Sequence, residues 1–74
     1  MSRLPAPSGR DLIKALAKLG YAVDRQRGSH IILRRTQAPY RRLVVPDHDE
    51  IATGTLRALL RDAGLTVEDL RSLL

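Results

Sequence analysis

The chain contains no cysteine, no phenylalanine and no tryptophan, and its Phe/Trp/Tyr content is limited to Tyr21 and Tyr40. Without cysteine there can be neither a disulfide nor a thiolate metal site. That composition suits a reducing compartment, and a cytoplasmic location is expected. A core must then come from Leu, Ile, Val and Ala, and unpaired bases would find no aromatic platform to stack on. No apolar run approaches the ~20 residues of a membrane span. Met1 to Pro7 lacks the apolar centre of a signal peptide, so no membrane partner is expected. At 74 residues the chain is one domain, near the limit at which a single core suffices without staples.

What the chain has in excess is positive charge, and it is lopsided. Residues 1–46 carry ten Lys or Arg against Asp11 and Asp24, a net of +8. Residues 47–74 carry Arg57, Arg61 and Arg71 against six acids, a net of −3, which brings the whole to +5. A merely solvated surface would spread its cations more evenly. Their concentration points to a polyanion footprint on the first half of the chain, for which a phosphate backbone is the usual partner.

Periodicity then divides the chain. Residues 1–7 form a Pro-containing lead without pattern, expected to fray, and residues 8–74 form the domain. Ser8 reads as an N-cap with Asp11 at capping-box spacing. Leu12, Ile13, Leu16 and Leu19 recur at helical intervals, and Gly20 is the expected left-handed C-cap. The opposite face of this helix carries Arg10, Lys14 and Lys18. These are either a solvated ridge or a line of backbone contacts, with Lys14 and Lys18 the candidate phosphate ligands. Three short strands follow, over 21–26, 30–35 and 41–46, the last two joined by the loop Thr36 to Tyr40. Leu56, Leu59, Leu60 and Ala63 mark a second helix stopped by Gly64. Thr66, Asp69, Leu65 and Leu70 give a capping box with a hydrophobic staple for a third, whose Leu70, Leu73 and Leu74 are expected to face inward. Helices with apolar stripes on one side of a meander make an α+β two-layer sandwich, of order α-β-β-β-α with a short extra C-terminal helix.

The stretch from Arg25 to Arg35 is the centre of interest. It reads as a hairpin around Gly28-Ser29, with His30 immediately after the turn and Arg25, Arg27, Arg34 and Arg35 around it. Alternation on the second strand sends Ile31 and Leu33 toward the helices and His30 outward with Arg34. If Gly28-Ser29 is the turn, His30 pairs with Arg27; if Arg27-Gly28 is the turn, it pairs with Arg25. Either way an arginine stands opposite the imidazole.

In order and spacing these pieces resemble the HicA toxins, small RNA-cleaving partners in type II toxin–antitoxin modules. The resemblance runs over some nine tenths of the chain, from Ser8-Gly9 onward. It includes Asp11-Leu12-Ile13-Lys14-x-Leu16, Gly28-Ser29-His30, and Val44-Val45-Pro46-x-His48. It continues through Gly54-Thr55-Leu56-Arg57-x-Leu59-Leu60-x-x-Ala63-Gly64 and the closing Leu-rich helix. It implies a fold like the double-stranded-RNA-binding domain, with His30 at the family's catalytic histidine. It implies ribosome-independent cleavage of mRNA, and restraint by a HicB-type antitoxin that covers the site. The loop Thr36 to Tyr40 departs from the family's pattern, being longer and Pro-containing.

RNA supplies its own nucleophile, so the chemistry needs neither metal nor cofactor, and none is expected. A base that takes the 2′-hydroxyl proton gives typically ~10²- to 10⁴-fold acceleration, and arginines can neutralise the charge gathering on phosphorus. His30 is the candidate base, with Arg25, Arg27, Ser29, Arg34 and Arg35 as candidate RNA ligands. His48 is a secondary candidate for protonating the leaving oxygen, although Asp47, Asp49 and Glu50 around it equally suit a charged helix entry. The alternative is a non-catalytic double-stranded-RNA-binding module, which shares the element order. Such modules also draw on helix ends, where the second helix offers only Arg57 and Arg61.

Overall fold

Ser8 starts the first helix: its Oγ accepts the Asp11 amide at 3.0 Å, and α1 runs over Gly9–Ala17. In the computed structural model, which describes residues 4–74, α1 is followed by β1 (Tyr21–Arg27), β2 (His30–Arg35), β3 (Arg42–Pro46), α2 (Thr53–Ala63) and α3 (Val67–Leu73). Gly20 is not the cap of α1. Lys18 caps it in a right-handed conformation, and the amides of Lys18, Leu19 and Gly20 each reach back three residues, to Ala15, Leu16 and Ala17. This tightened last turn uses up the helix two residues early. Gly20, at φ 90°, then swings the chain into β1.

The strands form one antiparallel sheet in the order β1-β2-β3. β3 opens at Arg42 rather than Arg41, because the Arg41 guanidinium donates to the Asp62 carbonyl at 3.0 Å and ties the loop to the end of α2. Gly64 closes α2 at φ 72°. Thr66 and Asp69 then make the reciprocal capping box of α3, at 3.0 and 2.9 Å. Leu70 is fully buried and Leu73 packs at the margin. Leu74 differs from expectation: it is 50% exposed, since α3 ends at Leu73 and the last residue projects past the layer beneath it.

All helices lie on one face of the sheet, α1 against β1 and β3, α2 against β3, and α3 against α1. The core between the layers is aliphatic except for Tyr21, and no polar side chain is buried among the described residues. Leu4 packs against this core, and the Pro7 carbonyl accepts the Ile51 amide at 3.1 Å. The first three residues of the expected lead lie outside the described residues. Gly9 sits where α1 meets the end of β3. Its amide donates to the His48 carbonyl at 2.8 Å, and a Cβ at this position would run into the Pro46 carbonyl. The architecture is the α+β sandwich of the double-stranded-RNA-binding-domain type, with one added helix. No helix among the described residues is long and apolar enough to cross a membrane.

Candidate nucleic-acid interface

Alternation on β2 splits the sheet into two surfaces. Ile31 and Leu33 enter the core, while His30, Ile32 and Arg34 face away from the helices. Ile32 is only 4% exposed yet stands apart from the core cluster. It is the floor of a shallow trough lined by Arg27, His30, Arg42 and Val44. His30 is the first residue of β2 and is exposed. Among the described residues its imidazole makes no hydrogen bond or ion pair.

Two features bring the arginines to this surface. The turn is Gly28-Ser29, with Gly28 at φ 58°, so His30 pairs with Arg27. The second feature is a β-bulge. Strict alternation from the buried Tyr21 would turn Val23, Arg25 and Arg27 toward the helices. The pairing instead passes from Val23–Leu33 to Arg25–Ile32, leaving Asp24 without a partner residue. One residue taken out of alternation exchanges the faces of everything after it. Val23 therefore stays beside α1, with Ile13 and Gln26, and Arg25 and Arg27 join His30 on the open surface. The bulged Asp24 accepts from Arg34 Nε at 3.3 Å.

The hairpin turn is held from the side. The Asp47 amide donates to the Ser29 carbonyl at 2.7 Å. The Asp47 carboxylate accepts from Arg10 at 3.3 Å and from Gln26 at 3.5 Å, and Gln26 also donates to the Gly28 carbonyl at 2.9 Å. Asp47 thus joins α1 to the turn that carries Ser29 and His30.

The sequence candidates divide accordingly. Arg25, Arg27 and Arg34 share the surface of His30, and Ser29 precedes it in the turn. Arg35 lies on the other face, half-buried, donating to the Leu19 carbonyl at 3.2 Å and the Ala38 carbonyl at 2.8 Å. Lys14 lies on α1 and Lys18 caps it, in the other layer, and Lys18 donates to the Leu73 carbonyl at 2.7 Å. His48 is exposed in the loop after β3, two residues beyond Pro46, the β3 partner of His30. Arg42 was not among the candidates, yet it pairs with Arg34 and lines the trough. The sequence carried the signal: with Leu43 and Val45 inward, Arg42 and Val44 must face outward.

Accounting for the guanidinium groups sharpens the surface. Arg10 and Arg34 are paired with carboxylates, and Arg35 and Arg41 are bound to carbonyls. Among the described residues, Arg25, Arg27 and Arg42 have no such partner, so the face that carries His30 holds three undirected cations, with Arg27 directly opposite the imidazole and Arg42 farther along, opposite Arg34. Two larger depressions lie elsewhere, one between Pro5–Pro7, α1 and the C-terminal leucines, the other along α1 and β1. Neither contains a histidine. No group of three or more His, Cys, Asp or Glu among the described residues could hold a metal ion.

A sandwich of this type with an open cationic sheet surface defines a class of small domain suited to a polyanionic ligand. Comparison with known families is more specific. The family model described as the HicA toxin of bacterial toxin-antitoxin matches residues 9–65, from the first residue of α1 through the whole sheet and α2. The chain belongs to the HicA toxin family and is the toxin of a toxin–antitoxin system, which gives it an antitoxin as partner. No curated protein sequence matches the chain.

Proposed function

We propose that this toxin is an endoribonuclease that cuts mRNA, with His30 as general base, Arg25 and Arg27 as ligands of the reacting phosphate and Arg42 as a ligand of the RNA backbone farther along the sheet. The observation that carries the reading is the exposed, unengaged imidazole of His30 directly opposite Arg27, at the head of a trough rimmed by arginines. His30 removes the proton from a ribose 2′-hydroxyl. The 2′-oxygen attacks the adjacent phosphorus, the bond to the 5′-oxygen breaks, and that oxygen leaves with a proton. The products are a 2′,3′-cyclic phosphate and a free 5′-hydroxyl. Guanidinium groups aimed at the phosphorane oxygens stabilise the charge that builds there. His48 remains the second titratable group near the same end of the sheet, and proton delivery to the leaving oxygen is the task open to it.

The bound nucleic acid lies across the open sheet surface, and a HicB-type antitoxin silences the toxin by occupying that surface. Purified protein incubated with defined RNAs tests the reading. Parent protein should leave cyclic-phosphate ends and remain active in EDTA. His30→Ala should lose cleavage by at least about 10²-fold, while still binding antitoxin and keeping its melting temperature, because the side chain lies outside the core. A fully active His30→Ala protein would refute the assignment.

A further inference from the structure

Beyond Arg42, the β3 side of the trough turns aliphatic, while the β1 side stays cationic. Cross-strand pairs set Arg27, His30 and Pro46 in one row and Arg25, Ile32 and Val44 in the next. Each row therefore runs from a guanidinium on β1 to an aliphatic side chain on β3. Val44 is 36% exposed on a surface otherwise dominated by cations, and Pro46 is half-buried beside it. The outer strands stand about 10 Å apart, two strand spacings, which is the scale of one nucleotide from phosphate to base. Phosphate groups alone would have no use for the aliphatic side.

We infer that Val44, with Ile32 beneath it and Pro46 at its flank, seats the base of the nucleotide whose phosphate is turned toward Arg25 and Arg27. Arg27 and Arg42 line one continuous depression with Ile32 and Val44, and an unpaired nucleotide has both the charge and the apolar face to fill it. The contact is apolar burial rather than aromatic stacking, and an aliphatic seat reads no base edge, so the subsite is tolerant of sequence. It is not tolerant of pairing. A base inside a duplex keeps its faces against its neighbours and would have to be unstacked first. The inference rests on the ribonuclease reading and adds to it the state of the substrate, RNA that is single-stranded where it is held.

Equilibrium binding by His30→Ala protein separates the two readings, because it needs no cleavage. The probes are a short RNA, the same RNA annealed to its complement, and an abasic ribose-phosphate chain of equal length. The single-stranded RNA should bind roughly fivefold more tightly than either of the others, the effect of taking a small apolar patch out of water. Adding Val44→Thr, which keeps the shape and replaces a methyl by a hydroxyl, should erase most of that advantage without changing affinity for the abasic chain. Val44→Tyr, a larger platform, should enlarge it. Equal affinity for the three probes, or a preference that neither Val44 substitution alters, overturns the subsite. Cleavage by the parent protein is scored separately. A parent that cuts RNA while the probes bind alike defeats the subsite alone, whereas a parent that does not cut defeats the nuclease reading.

Discussion

Five arginines lie within the hairpin or at the start of β3, and their environments assign them different work. Arg35 donates to two carbonyls on the helix side, so Arg35→Ala should cost about 1 kcal/mol of stability, read as a lower melting temperature, with RNA affinity little changed. Arg42, with no such partner and on the rim of the trough, should behave in the opposite way. Arg42→Ala should leave the melting temperature in place, weaken RNA binding and flatten the salt dependence of log K by about one unit. Asp24 holds Arg34 in an exposed ion pair. Such pairs contribute little to stability, and this one withholds a cation from the surface. Asp24→Asn should therefore tighten RNA binding and steepen the salt slope by about one unit, measured by titration at several salt concentrations.

Among the elements, those with complete local signals were the ones readable from the sequence. Thr66 and Asp69 mark the start of α3 because a hydroxyl and a carboxylate three residues apart satisfy two orphan amides of the helix. Thr66→Ala should consequently cost about 1 kcal/mol in denaturant unfolding. The span of β2 and the outward aspect of His30 follow from alternation alone. Most of what the sequence did not disclose depends on partners distant along the chain. The early end of α1 comes from three tightened backbone bonds that no side chain announces. The bulge at Asp24 is a property of the β1–β2 pairing, not of β1, so alternation read along β1 gives the wrong face for Arg25 and Arg27. Arg35 looked equivalent to Arg34 in a run of cations, yet alternation along β2 sets it on the side of Ile31 and Leu33; the carbonyls of Leu19 and Ala38 that hold it there come from other parts of the fold. Asp47 read as one acid in a polar loop. Its place beside the hairpin turn appears only when β3 is paired with β2.

For the molecule as a whole, one aliphatic core does all the holding. Leu12, Leu33, Leu43, Leu56 and Leu70 are each at most 2% exposed. Truncating one of them, Leu56→Ala for example, should cost about 2–5 kcal/mol, a large share of what a domain this small has to lose. Circular dichroism melting should show the chain partly or wholly unfolded at 37 °C.

Tyr21, Ile31, Leu33, Leu43 and Val45 give the sheet's share of that core, and the opposite surface of the same strands holds Arg25, Arg27, Arg42 and Val44. The two sets interleave on the same strands without sharing a member. That surface is consequently free to change while folding stays put, because a substitution there need not touch a leucine. A library randomised at those four positions should return mostly folded proteins that differ widely in RNA affinity, read by circular dichroism and by titration.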